Sequence, residues 1–201
     1  MDTPGTQACL AKRGTPRYPA TVNLASLIVE TPRLILRVPR IEDLDEWAAM
    51  MTDEEAARFI GGTAPREVTW RGMMTVIGAW HATGIGMFSV IEKASGRWVG
   101  RLGPWKPEGW PGPEIGWAIA RDCWGRGYAP EGAAAATDWA FDNLGWTSVI
   151  HSIAPGNAAS QAVARKLGSR NLGPGRLPPP FQDSPIDIWG QSREDWRARR
   201  A

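Results

Sequence analysis

Cysteine is nearly missing from this chain. Cys9 and Cys123 are the only two in 201 residues and lie in unrelated contexts, so no disulfide framework holds the fold and both read as free thiols of a reducing compartment. Histidine is as scarce, with His81 and His151 alone, and no metal site is expected. No long apolar run occurs and the first residues carry no signal-type hydrophobic segment, which argues for a soluble cytoplasmic protein with no membrane partner. A surplus of one charge sign is also lacking: the formal net charge of +2 is too small to imply a nucleic-acid partner. Tyrosine (2) and phenylalanine (4) are few, yet tryptophan numbers 12, and most of these rings must fill the core. At this length one compact domain can bury that core unaided, and 43% hydrophobic with 22% charged residues excludes wholesale disorder.

Residues 1–27, rich in Thr, Pro, Gly and Ala and without period, read as a flexible N-terminal arm; residues 28–201 read as the folded domain. The domain opens through Ile28-Val29-Glu30 into a β-rich run, residues 33–38, ended by Pro39. A helix starts at Ile41 with acids in its first turn and Leu44, Trp47 and Met51 at helical spacing. Residues 53–59 form a second short helix, stopped at Gly61-Gly62, and residues 67–81 a third, with Val68, Met74, Ile77 and Trp80 as its expected buried stripe. The pattern then turns to strands: a hairpin of residues 86–92 and 97–102 about Lys93-Ala94-Ser95-Gly96, a loop over 103–113, and a strand from Glu114 to Ala120. A helix over 130–144 presents Ala133, Ala136, Ala140 and Leu144 on one face. A strand (147–153), a helix (157–167) closed by Gly168, a Pro-rich loop (173–180), a last strand (186–189) and a charged tail (193–201) follow. The order β-α-α-α-β-β-β-α-β-α-β describes one mixed α/β domain.

Between the Glu114 strand and the alanine-rich helix lies Trp124-Gly125-Arg126-Gly127-Tyr128-Ala129-Pro130. Glycines there let successive backbone N–H groups converge on an anion, and the helix N-terminus behind them adds free amides and a positive dipole. Pro130 suits the first helical turn, where a missing N–H removes only an orphan donor. Local physics leaves two readings: a pyrophosphate cradle, or a turn that uses glycine for geometry alone. The Gly-x-x-x-x-Gly-Lys-Ser/Thr of P-loop enzymes is missing, and Pro130 stands where a dinucleotide fingerprint needs its third glycine.

The same run resembles motif A of the GNAT superfamily of N-acetyltransferases, Gln/Arg-x-x-Gly-x-Gly/Ala, with Trp124 in the first position as in the branch of ribosomal-protein N-terminal acetyltransferases. Asn157-Ala158-Ala159-Ser160 is similar to that branch's Asn-x-x-Ser motif, and Glu30-Thr31-Pro32-Arg33-Leu34-Ile35-Leu36-Arg37 to its opening strand. The likeness spans about residues 29–196. It implies an α/β (α+β) fold with a mixed, mostly antiparallel sheet whose central strands splay apart, flanked by helices. It also implies acetyl-CoA as cosubstrate. Ile119 then borders the thioester on a free strand edge that pairs with the pantetheine arm, the amides of Trp124, Gly125, Arg126, Gly127, Tyr128 and Ala129 grip the pyrophosphate, and Asn157 contacts pantetheine as well as capping its helix.

The implied reaction is direct attack of a neutral amine on the thioester, which calls for a group that removes a proton. Glu114 is the first candidate base and Glu108 the second; Ser160 matches the serine that protonates the departing thiolate in that branch. His151 reads as a packed strand histidine and Cys123 as structural. Trp105, Trp110 and Glu108 are expected to border the acceptor mouth. The acceptor stays open between a protein or peptide α-amine and a small-molecule amine, the protein between monomer and homodimer. The competing reading is a non-catalytic acyl-CoA-binding sensor or scaffold domain.

Overall fold

The computed structural model describes residues 23–200, so most of the expected N-terminal arm lies outside the described residues. Eight strands form one sheet in the order β1-β2-β3-β4-β5-β6-β8-β7, with β1 Ile28–Glu30, β2 Leu34–Arg37, β3 Phe88–Glu92, β4 Trp98–Trp105, β5 Glu114–Ile119, β6 Ser148–Ile153, β7 Arg170–Gly175 and β8 Ile186–Ser192. Every neighbouring pair is antiparallel except β5 and β6. That parallel pair has a single register match, Glu114↔Ile150, so the sheet opens between its two central strands. The mixed, mostly antiparallel sheet with splayed centre is the fold the sequence implies.

Six α-helices accompany it among the described residues: α1 Leu44–Thr52, α2 Glu54–Ala57, α3 Arg66–Thr83, α4 Tyr128–Asn143, α5 Ala158–Leu167 and α6 Arg193–Ala198. Leu44, Trp47 and Met51 are buried as their spacing requires, and Ala133, Ala136 and Ala140 turn inward on α4. The stripe on α3 is met in part: Trp80 is buried and Met74 and Ile77 pack half-buried on the core, but Thr69, Met73 and Val76 are the other fully buried residues and Val68 is exposed. Six tryptophans are buried outright. Trp80, Phe88 and Trp139 form one aromatic knot joining α3, β3 and α4, with ring centroids 4.8, 5.7 and 5.5 Å apart; Trp47 and Trp98 stack across α1 and β4 at 6.0 Å. The start of α1 is pinned by buried Asp43, which accepts from Arg37 (2.5 and 2.7 Å) and Ser89 (2.7 Å) and from the Arg40 amide (2.9 Å). Burial pushes that carboxyl up, but Arg37, Arg40 and Ser89 together hold it below the usual range.

Helix α4 packs against the sheet at Gly132. A Cβ on Gly132 would sit 2.6 Å from a Leu102 methyl and 3.4 Å from one of Leu34, so only glycine fits there. Two expectations fail at the C-terminal end. The run after Gly168 contains an edge strand, β7, and the charged tail folds as α6, whose Trp196 is buried and donates to Asp138 at 2.7 Å.

Candidate active site

The opening between β5 and β6 is held by side chains. His151 of β6 is fully buried; its Nδ1 lies 2.7 Å from the Ile115 carbonyl oxygen and its Nε2 2.9 Å from Ser169 Oγ. Burial drives its pKa down to about 4, so the ring is neutral, and the carbonyl fixes the tautomer with Nδ1 as donor. Trp117 packs against this ring, centroids 4.8 Å apart, and donates its indole N–H to Ser160 Oγ at 3.2 Å. The imidazole thus takes up one carbonyl, that of Ile115, which a β5–β6 ladder would otherwise pair, and the indole packs on it. His151 is a packed strand histidine, as the sequence reading has it.

Where β5 ends, the chain makes the glycine turn. Gly125 and Gly127 adopt φ of +77° and +80°, the left-handed region where a side chain costs about 1–2 kcal/mol. Space does not demand glycine at 125, where an added Cβ would meet nothing within 4 Å; conformation does. Gly127 is the residue before α4, so the first amides of that helix face outward with the dipole behind them. The turn is braced from the connection between β1 and β2: Arg33 donates to the Arg126 carbonyl at 2.8 Å and pairs with Glu131 in the first turn of α4 at 2.5 Å, and Thr31 donates to the same carboxylate at 2.6 Å. Burial raises Glu131, but Thr31 and Arg33 outweigh it and hold the carboxylate ionised. The Tyr128 hydroxyl is committed to Glu92, leaving its backbone amide as the group it can offer an anion.

Trp124 has a role that motif reading misses. Its indole, on a half-exposed side chain, donates at 2.7 Å to the Ile119 carbonyl, the last carbonyl of β5. The turn thereby folds back on the strand edge it follows. Asn157 caps α5, its Oδ1 accepting from the Ser160 amide at 3.0 Å, which leaves its side-chain NH₂ free for another acceptor.

Glu114 lies at the other end of β5 and on the opposite face from Trp117, three residues away on a pleated strand. Its side chain is buried and accepts from Trp110 Nε1 (2.5 Å), Ser152 Oγ (2.9 Å) and the Ser152 amide (3.3 Å). Burial pushes its pKa up, and these donors with the Arg101 charge offset only part of that. A buried carboxyl raised in this way holds its proton more tightly than an exposed one, as groups that transfer protons do. Ser152 is 38 residues away in sequence, and nothing local could have paired the two.

Trp105 is the register partner of Glu114 on β4. Glu108 is exposed in the 106–113 loop, apart from these contacts. That loop meets the β7–β8 connection, where a Cβ on Gly109 would lie 3.4 Å from Pro178, and the same connection approaches the loop after α2, where a Cβ on Gly61 would lie 3.9 Å from Phe181. Of these, the 106–113 loop reaches Glu114 through Trp110. Cys123 is buried, its thiol pushed up by burial, and supplies no nucleophile. Among the described residues no cluster of His, Cys, Asp and Glu could hold a metal, and no helix is long and apolar enough to cross a membrane.

A splayed parallel pair followed by a glycine turn at a helix N-terminus defines an acyl-CoA-dependent transferase fold. Residues 33–170 match the family model for the acetyltransferase (GNAT) domain. The chain belongs to the GNAT family of N-acetyltransferases. It is 37% identical over 143 residues to the uncharacterised protein YkkB of Bacillus subtilis, covering 69% of this chain and 82% of that one. An acetyltransferase structure from Agrobacterium tumefaciens superposes with a TM-score of 0.73 at 27% identity, covering 83% of this chain and 95% of that one. Mycobacterium smegmatis RimJ, solved with CoA-disulfide, shares the fold with a TM-score of 0.63 at 19% identity over 81% of this chain and 83% of that one.

Proposed function

We propose that this enzyme moves an acetyl group from acetyl-CoA to the primary amine of a peptide or small molecule by direct attack within a ternary complex. The observation that carries the reading is the single register match between β5 and β6, with the braced glycine turn at the far end of β5. An open strand edge suits the amide-rich pantetheine arm, and the amides of residues 125–129 at the α4 N-terminus suit the pyrophosphate, whereas the Trp124 amide, assigned to the cradle from the motif, is given to the Arg121 carbonyl at 3.1 Å. Asn157 offers its NH₂ to the same arm. The thioester supplies an activated acyl carbon; the chain's own groups orient it and handle protons.

In this reading Glu114 is the base. Its carboxylate takes the ammonium proton of the acceptor, leaving the neutral amine that can attack. Ser160, across the strand, accepts from Trp117 and keeps its own O–H for the departing sulfur. Trp105, Trp110 and Glu108 border the acceptor. Trp110, by donating to Glu114, also holds the base in place. The tryptophan in the first motif position and the Asn157-x-x-Ser160 pair favour the branch of ribosomal-protein N-terminal acetyltransferases over others in the family.

Thermal denaturation with and without acetyl-CoA, followed by thiol release against an amine panel, tests this. Stabilisation and turnover are expected. No stabilisation by any acyl-CoA refutes the donor site, and stabilisation without turnover of any amine would return the chain to the sensor reading.

A further inference from the structure

One half-buried strand arginine has no acid. Arg37 of β2 is paired with Asp43, and Arg97, just before β4, with Asp122 and Glu46. Arg101 of β4 is half-buried, its Nε is shielded from solvent with no acceptor among the described residues, and no carboxylate bonds its Nη atoms. Its neighbours are the Met87 sulfur, 2.7 Å from Nη1, and the Trp47 ring, 5.4 Å from the guanidinium carbon. A thioether is a weak acceptor and an indole face a partial one, so the cation lacks the planar oxygen pair its fork is shaped for.

Its position gives that vacancy a meaning. Arg101 is in register with Ala118, on the same face of the sheet as Glu114. Between them lies Gly116, with no side chain; a Cβ there would be 2.9 Å from Met87 Cε and 3.5 Å from Glu114 Oε1. The guanidinium and the carboxyl are thus two ends of one short strip, floored by glycine and filled by one unbranched, flexible side chain that can yield. Each feels the other's charge.

We propose that Arg101 binds a carboxylate carried by the acceptor, so that the amine delivered to Glu114 belongs to a small amine of the amino-acid class. This rests on the reading of Glu114 as base. An acceptor of this kind supplies the oxygen pair Arg101 lacks while its ammonium is drawn to Glu114. A polycation would meet the Arg101 charge in the same strip.

The test compares free L-amino acids with their amides and with the matching decarboxylated amines, at equal concentrations of neutral amine, by thiol release from acetyl-CoA. The acids are expected to exceed both in kcat/KM by about 10- to 100-fold, the range of one lost charged pair. Arg101→Gln should collapse that preference towards one, and Arg101→Lys should keep part of it. Because Arg101→Gln could lose structure, the wild-type comparison stands alone, and a second measurement follows melting of CoA-loaded protein with N-acetylamino acids against their amides; only the acids should stabilise it. Amides or decarboxylated amines used as well as the acids overturn the proposal, as does an Arg101→Gln enzyme with the full preference. Failure of both turnover and product binding overturns it too. Stabilisation by acetyl-CoA separates these failures from a failure of the donor site itself.

Discussion

Replacing Glu114 by Gln removes the ionisable group and little else. Gln has nearly the same shape, its carbonyl can still accept from Trp110 or the Ser152 amide, and the Ser152 hydroxyl can turn to accept from its NH₂. The expected loss is therefore chemical. A positioned base contributes about 10²- to 10⁴-fold, or roughly 3–5 kcal/mol of barrier. We expect kcat to fall by about 10²-fold or more while KM for acetyl-CoA stays within about twofold, since Glu114 and the glycine turn occupy opposite ends of β5. The pH profile adds a second reading. The wild type needs the ionised carboxylate, so kcat/KM should drop on the acid side of its raised pKa, and the Glu114→Gln enzyme should lose that limb. Stability gives a third. A carboxyl whose folded pKa is raised binds its proton more tightly when folded, so its contribution to stability is full below the ordinary glutamate range and is lost as pH rises through the folded value. The difference in stability between the Glu114→Gln protein and wild type should thus grow in favour of the variant across that window. A Glu114→Gln enzyme retaining more than a tenth of kcat with an unchanged pH profile refutes the assignment.

Other consequences can be measured in parallel. Gly127→Ala forces a side chain into φ of +80°; it should cost about 1–2 kcal/mol in urea unfolding and raise the acetyl-CoA KM more than it lowers kcat. Ser160→Ala should lower kcat about tenfold with acceptor KM unchanged, in stopped-flow thiol release. His151 has the opposite pH sign to Glu114: its folded pKa is depressed to about 4 from 6.5, so stability present above 6.5 declines as pH falls towards 4, by about 3 kcal/mol in all, and His151→Gln protein should lack that decline. Trp196→Ala should cost about 3–5 kcal/mol and lower Tm by roughly 10 °C, because the ring is core.

The site is legible in the sequence where one short stretch carries it and illegible where the fold assembles it. The glycine turn, the Glu114 strand and the Asn157 cap are each local, and each is found where its residues predict. Edge strand β7 hid because Arg-Asn-Leu-Gly-Pro-Gly has neither alternation nor β-formers; it exists because β8 offers a partner and Pro174 is tolerable at an edge. Helix α6 looked like a solvated tail because it has one large apolar residue, although Ser192 and Asp195 form a start signal, with the serine accepting from the Asp195 amide. The one exposed member of the expected α3 stripe is Val68, where Thr69, bonded to the Pro65 carbonyl, faces inward instead. Contacts between distant segments, Ser152 with Glu114 or Thr31 and Arg33 with Glu131, left no periodic trace.

The close approach of α4 at Gly132 has a consequence for how such an enzyme can change. With Leu102 and Leu34 against that glycine, the helix and the turn at its head cannot shift without breaking the core. The loops over residues 58–65, 106–113 and 176–185 are held by single contacts instead, such as Trp110 on Glu114 and Gly109 against Pro178. If the acceptor sits at the Glu114 end as proposed, substitutions in those loops would alter its binding while the glycine turn at the head of α4 keeps its place against the sheet.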